Sequence, residues 1–452
     1  FEAVSLQGVD MTLSFGTDGV RGPTPELLNE HFVICLAIAA SEVLSTDHWI
    51  LGRDTRESGL SLSQAMARAI ANTGRSVVDA GVVPTPTVAY LSKVENCAGV
   101  VISASHNPWT DNGVKIFAPG GRKLHDQEQT AIENRLGTLL KDPVRSLDEA
   151  PPIVNEHSDP LQLWSASIEN ALEKRRLEGL HIVIDCANGS ASHIAEPLFT
   201  RLGARVEAIH AEPDGRNINQ HCGSTHVSTI TRAVVAKQAD LGLALDGDAD
   251  RLIAVASDGA VIDGDRQLCM FAKDLAQRNQ LANRSVVATV MSNLGLRQAL
   301  QQADITMIEV PVGDRNVLAQ LDAGAAVLGG EQSGHLVFRH LATTGDGLLT
   351  GALLADLVLR SGRKSSDIAS ETMHEFPQVL INVPVTSNST QLPSDLSQEI
   401  ADAEKRLGGT GRVLIRASGT ETVVRVMVEA TEKATAQREA DYLADAIKRT
   451  ME

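Results

Sequence analysis

The stretch Ala98-Gly99-Val100-Val101-Ile102-Ser103-Ala104-Ser105-His106-Asn107-Pro108 is an apolar run that breaks abruptly into a polar turn. Its first five residues are small or β-branched and carry no charge, as in a strand buried on both faces. Ser105 follows among turn formers, Asn107-Pro108 and then Asp111-Asn112-Gly113, so it is expected in a tight, exposed bend. The theme recurs twice. Residues 241–245 run into Asp246-Gly247-Asp248-Ala249-Asp250-Arg251, and residues 325–328 run into Gly329-Gly330-Glu331-Gln332-Ser333-Gly334-His335. In open α/β sheets, ligands bind beyond the carboxyl ends of strands. Three similar domains are therefore expected to present one loop each to a shared cleft.

Outward from these loops, strand-like runs alternate with helical ones, the pattern of parallel α/β layers. The strand candidates are residues 48–51, 76–78 and 99–102, then 181–184, 205–209 and 241–245, then 285–290, 305–310 and 325–328. The tail differs: residues 413–416 and 423–429 flank Ala417-Ser418-Gly419-Thr420-Glu421, and a helix is expected over 431–451. The fold class is α/β, with three similar α/β domains of mixed, mostly parallel sheets plus a small C-terminal α+β domain. The expected domains are 1–152, 153–262, 263–374 and 375–452. Linkers are expected at 148–153, with its Pro151-Pro152 pair, at 258–265, and at Glu375-Phe376-Pro377.

A chain of 452 residues exceeds one ordinary core. Its apolar share of 43% and charged share of 21% fit a globular protein. Lys and Arg number 40 against 57 Asp and Glu, a net charge of -17. That excludes broad nucleic-acid binding, which needs a basic face, and obliges an anionic substrate to meet locally gathered cations. Cys35, Cys97, Cys186, Cys222 and Cys269 are scattered without a paired spacing, which reads as buried free thiols in a reducing, cytoplasmic setting. Residues 32–44, interrupted by Ser41 and Glu42, fall short of the about 20 needed to span a bilayer and read as an amphipathic helix, so no membrane partner is expected. The first residues lack the basic and apolar segments of a signal peptide. Met11 reads as a candidate start, with residues 1–10 as leader or cloning residues.

A serine hydroxyl is a weak nucleophile and needs activation, for which His106, Lys115 or a bound cation are candidates. Asp246, Asp248 and Asp250 alternate along the chain, and on an extended backbone alternate side chains share a face. Three clustered carboxylates repel unless a cation sits among them, and oxygen-only ligands favour Mg²⁺. A calcium-binding EF-hand also starts this way but needs glycine sixth and glutamate twelfth, where Arg251 and Ser257 stand. Arg251 suits a phosphate oxygen, or merely balances charge. Glu331, Ser333 and His335 carry groups that a sugar's hydroxyls need, although a plain polar loop fits them equally. Arg416, Ser418, Gly419, Thr420 and Arg425 compose a candidate phosphate cradle of backbone N–H groups, hydroxyls and guanidinium forks. Arg21, in Gly16-Thr17-Asp18-Gly19-Val20-Arg21-Gly22, is placed to face a phosphoserine, whereas Arg53 reads as well as a structural ion pair. A cation-holding acid triad and a candidate nucleophilic serine together suggest phosphoryl transfer through a phosphoserine.

Five motifs in order resemble the α-D-phosphohexomutase superfamily, from about residue 13 to the C-terminus. They are Phe15 through Gly22, Ser103 through Pro108, Asp246 through Arg251, Gly330 through His335, and Arg416 through Glu421; Val312-Gly313-Asp314-Arg315 and Thr343-Thr344-Gly345-Asp346-Gly347 add support. The resemblance implies four domains around a central cleft. It implies phosphorylated Ser105, with Mg²⁺ on its phosphate and on Asp246, Asp248 and Asp250. It implies Glu331 and Ser333 on sugar hydroxyls, the residues from Arg416 to Arg425 named above on the non-reacting phosphate, and Lys115 as acid or base. The implied activity is a reversible mutase that works through a 1,6-bisphosphate, within the branch acting on glucosamine phosphates for amino-sugar nucleotide and peptidoglycan precursor synthesis. Its partner is a hexosamine phosphate, and glucosamine 1,6-bisphosphate or another hexose 1,6-bisphosphate is the activator. Three departures stand out: Thr422 where proline is common, Trp109-Thr110 after the Asn-Pro pair, and Ala249 for a common glycine. A glucose or mannose phosphate mutase, a silent sugar-phosphate-sensing paralogue and a phosphatase are the competing readings. The oligomeric state stays open, a homodimer being one option.

Overall fold

The structure is a computed structural model and describes residues 15–16, 18–141, 159–385, 396–417 and 423–451. Met11, the linker at 148–153, and Ser418, Gly419 and Thr420 lie outside the described residues.

The first region builds β1 (Val20–Pro23), β2 (His48–Arg53), β3 (Ser76–Val82), β4 (Ala98–Ile102), β5 (Asp111–Ala118) and β6 (Arg122–Lys123), in the order β1-β5-β4-β2-β3 with β6 on β5. The second builds β7 (His181–Asp185), β8 (Arg205–Ile209), β9 (Leu241–Leu245), β10 (Leu252–Ala256) and β11 (Val261–Ile262), in the order β11-β10-β9-β7-β8. The third builds β12 (Ser285–Thr289), β13 (Thr306–Val310), β14 (Leu328–Gly330) and β15 (Leu336–Phe338), in the order β13-β12-β14-β15. Each sheet repeats one plan: a central strand pairs in parallel with two neighbours, and the next strand returns antiparallel. The fourth sheet is antiparallel throughout: β16 (Gln378–Pro384), β17 (Arg412–Ala417) and β18 (Val423–Glu429), in the order β16-β18-β17.

The chain forms two compact units. One comprises Phe1–Val290 and Thr306–Ala369, and holds the first three sheets; the other comprises Met291–Ile305 and Ser370–Glu452, and holds the fourth. In the first unit β4, β7, β9, β10 and β12 are buried at every residue, because helices cover both faces of parallel sheets. The helix Glu30–Val43, capped by Asn29, packs between Gly59–Asn72 and Asp126–Leu139. It buries Phe32, Val33, Leu36, Ala37 and Ala40 against Leu62, Met66, Ile70, Ile132 and Leu136. All five cysteines are buried. Among the described residues no helix is long and apolar enough to cross a membrane.

The structure corrects three local expectations. Asp111-Asn112-Gly113 opens β5 instead of a turn, since Asn112 and Gly113 pair with Gly22 and Arg21 of β1. Residues 258–265 are not a linker; they contain β11 and the first residues of the helix Gly264–Gln277, capped by Asp263. The third strand of the third region is Leu328–Gly330, not 325–328, because Gly329 and Gly330 pair with Val287 and Ala288 of β12. The polar loops are followed by antiparallel strands that return beside them, so each loop is the bend of a strand pair.

Candidate active site

After β4 the chain stays pinned for one residue, with Ser103 N–H donating to the Gly113 carbonyl at 2.9 Å. It then bends at Ser105, whose φ is +52, a region that non-glycine residues seldom occupy. The bend is tight, but Ser105 is buried rather than exposed. The backbone of the Asp246 loop covers it: a Cβ added to Gly247 would lie 2.6 Å from the Ser105 carbonyl oxygen. Only glycine allows that approach.

Asp246, Asp248 and Asp250 follow β9 in a turn in which Ala249 has φ +57. Their convergence comes from this turn and not from alternation along an extended strand. One oxygen from each lies within 4.8 Å of the others, and all three residues are buried. The Ser105 hydroxyl donates to Asp246 Oδ2 at 2.5 Å, and Arg251 N–H donates to Asp246 Oδ1 at 3.1 Å. Asp248 Oδ2 accepts from Thr85 Oγ1 at 2.6 Å. Lys115, on β5, places Nζ 2.7 Å from Asp248, 2.7 Å from Asp250 and 2.8 Å from Asp18.

These contacts set the charge states. Burial, then the charges of Asp250 and Asp248, raises the Asp246 carboxyl well above its ordinary range. Burial also opposes ionisation of Asp250, but Lys115 outweighs it and holds that carboxyl at about 2. Burial likewise opposes the Lys115 charge, yet Asp18, Asp248 and Asp250 keep the ammonium protonated well above its usual value. His106 Nδ1 lies 3.3 Å from Ser105 Oγ. Burial, then Arg251 and Arg21, pushes this imidazole down to about 4 and leaves it neutral near pH 7. The acid cluster fits a hard divalent cation: its donors are all carboxylate oxygens, and Asp248 Oδ1 and Asp250 Oδ1 are buried without a hydrogen-bond partner among the described residues.

The other expected residues are placed as follows. Arg21 pairs with Asp18 at 2.5 Å. Arg251 Nε lies 3.7 Å from Asp250. Glu331 accepts from Gly313 N–H at 2.9 Å, and Ser333 is exposed. His335 is buried, with Nε2 accepting from Gly345 N–H at 3.3 Å. In the other unit, Arg416 and Arg425 face each other across β17 and β18; burial, then the neighbouring Arg425, lowers the Arg416 guanidinium from its ordinary value. Arg53 is an ion-pair partner of Asp79 at 3.4 Å.

Sequence reasoning passed over Asp18, which lies inside the first motif and joins Lys115, Lys123 and Arg21. It also missed Thr85, Arg56 and Asn219, for which no local signal exists. A second mixed cluster, Asp185, His210 and Cys222, sets Asp185 Oδ2 3.0 Å from His210 Nδ1, and burial pushes the Cys222 thiol up to about 12. A cavity of about 340 Å³ opens beside Phe271 and Phe338, but its Arg175 and Arg360 are already paired with Asp356 at 2.8 Å.

This site belongs to a phosphoryl-transferring mutase. The Phosphoglucomutase/phosphomannomutase alpha/beta/alpha domains I, II and III match residues 12–141, 162–259 and 263–376, and the C-terminal domain of that family matches 380–446. The chain belongs to the phosphoglucomutase/phosphomannomutase family and is an enzyme of the mutase class. It is 48% identical to the phosphoglucosamine mutase of Rhodococcus erythropolis, over 96% of this chain and 98% of that one. It is 46% identical to that of Thermobifida fusca, over 97% and 98%. Among solved structures, the fold matches a phosphoglucomutase/phosphomannomutase family protein from Burkholderia thailandensis (TM-score 0.79, 23% identity, 98% and 99% covered). It also matches Aspergillus fumigatus N-acetylphosphoglucosamine mutase in complex with GlcNAc-6P and magnesium (TM-score 0.70, 19% identity, 98% and 96% covered).

Proposed function

We propose that this chain interconverts glucosamine 6-phosphate and glucosamine 1-phosphate through a phosphoserine at Ser105 and a 1,6-bisphosphate. The observation that carries the chemistry is the Ser105 hydroxyl 2.5 Å from Asp246, inside a buried three-acid cluster. The amino sugar comes from the relatives named above. In the forward step the bond from phosphorus to Ser105 Oγ breaks and a bond to the sugar O1 forms, with the O1 proton passing to a base. In the return step Ser105 Oγ takes the 6-phosphoryl group and releases O6. His106, neutral and 3.3 Å from Oγ, is the acceptor for the serine proton, and Lys115, held protonated, is the donor to a leaving oxygen. Asp246, Asp248 and Asp250 would hold Mg²⁺, which neutralises charge on the transferring group. Arg21 and Arg251 add positive charge beside it. Glu331, Ser333 and His335 serve the sugar; Arg416 and Arg425, with Ser418, Gly419 and Thr420, serve the non-reacting phosphate.

The division into domains 1–152, 153–262, 263–374 and 375–452, a cytoplasmic location and activation by a hexose 1,6-bisphosphate complete the proposal. Coupled turnover with Mg²⁺ and a trace of hexose 1,6-bisphosphate tests it, comparing glucosamine, glucose and mannose 6-phosphates. A strong preference for glucosamine is expected, together with loss of turnover in Ser105→Ala. A preference for glucose or mannose would overturn the sugar assignment, and near-full turnover in Ser105→Ala would overturn the phosphoserine.

A further inference from the structure

Ser105 is held from behind by a side chain with no donor left for substrate. Arg56 is buried beside Asp54, and both side chains are 0% exposed. Its Nε donates to Asp54 Oδ2 at 2.9 Å. Its Nη2 donates to the carbonyls of Ser105 at 3.0 Å and Asn107 at 2.9 Å. Its Nη1 donates to the carbonyls of Pro108 and of Asp111, the latter at 2.9 Å. A guanidinium has five N–H donors, and here all five are spent on one carboxylate and four backbone carbonyls.

The network closes on itself. Asp54 Oδ2 also accepts from Ser103 Oγ at 2.5 Å, and Ser103 Oγ accepts from Ser105 N–H at 2.9 Å. Asn219, from the second region, donates Nδ2 to the same Ser105 and Asn107 carbonyls at 2.8 and 3.0 Å. Both peptide groups flanking Ser105 are thus tied down, and the disfavoured φ of +52 is imposed by surroundings.

We propose that Arg56, assisted by Asn219, is a positioning residue for phosphoryl transfer: it shapes the 105–111 loop so that the Ser105 hydroxyl meets Asp246, and it does not touch the transferring group. The proposal rests on the mutase reading above. Lysine cannot replace it, because an ammonium offers three donors and no plane, whereas four carbonyls in a fixed fork need a guanidinium.

The test follows phosphate gain at Ser105 by intact mass in the full-length chain with Mg²⁺ and glucose 1,6-bisphosphate, in single turnover. Steady-state interconversion and the melting midpoint are recorded alongside. Arg56→Lys is expected to slow phosphate gain about 100-fold, the scale of a small misplacement of a reacting group, with KM for glucosamine 6-phosphate within about twofold. Asn219→Ala, which leaves Arg56 in place, is expected to slow the same step about tenfold, and it carries the test if Arg56→Lys fails to fold. Wild-type rates per folded molecule in these variants would overturn the proposal, since a merely structural role lowers only the melting midpoint. So would a KM that rises while phosphate gain is unchanged. A wild-type chain that takes no phosphate at Ser105 overturns the mutase reading and this proposal with it; a wild type that does, matched by the variants, overturns this proposal alone.

Discussion

Lys115 shows how one residue holds a charge balance. Its ammonium lies against Asp18, Asp248 and Asp250 and is 2% exposed. Lys115→Ala leaves those carboxylates buried without their cation, and removing one partner of a buried ion pair costs about 3–5 kcal/mol. Metal-free protein should lose stability on that scale. Mg²⁺ should raise the melting temperature more in the variant than in wild type, and thermal unfolding with and without Mg²⁺ checks this. Equal Mg²⁺ shifts would show that the lysine does not shield the acids. Ser105 and the three aspartates were legible because residue type and close spacing carry their chemistry. Arg56 and Asn219 were not, because the carbonyls they serve lie 49 and 114 residues away along the chain.

Secondary elements and the turns between them impose their own limits. The Asp246 turn must pass against Ser105, and a Cβ at Gly247 would meet the Ser105 carbonyl at 2.6 Å, Ile218 at 2.8 Å and Asn219 at 2.9 Å. Gly247→Ala should destabilise the protein by about 1–3 kcal/mol, the usual cost of overpacking, and slow phosphate gain at Ser105; denaturant unfolding and intact mass read the two effects. Asp346 caps the helix Gly347–Ser361, accepting from Leu349 N–H and Trp164 Nε1–H at 2.9 Å each. Burial nevertheless raises its carboxyl to about 7 from an ordinary 3.8. The native state therefore keeps a proton that the unfolded chain has released between about pH 4 and 7. Its contribution to stability is full below that window and is lost as pH rises through it, by a few kcal/mol. Asp346→Asn should flatten unfolding free energy against pH across the window, as denaturant titrations at several pH values will show. The turn formers at Asp111 misled sequence reading for a related reason: pairing with β1 overrides local turn preference.

Across the whole molecule, a net charge of -17 requires that cations be gathered where an anion binds. Arg416 and Arg425, opposite each other across two strands of the second unit, are the cations proposed above for that role. Arg416→Ala should raise KM for glucosamine 6-phosphate about tenfold, the worth of a charge-assisted hydrogen bond, while phosphate gain at Ser105 per folded molecule stays unchanged at saturating glucose 1,6-bisphosphate; steady-state and single-turnover kinetics separate these. The sequence by itself determined the threefold α/β repeat, the antiparallel tail and the candidate serine with its acid cluster, because hydrophobic period and residue type are local properties of the chain. The tertiary structure alone decided that Ser105 is buried, that Lys115 stands among three carboxylates, and that Arg56 and Asn219 shape the loop. Those facts depend on which distant backbone oxygens and charges the sheets bring within hydrogen-bond reach, and no spacing along the chain encodes that.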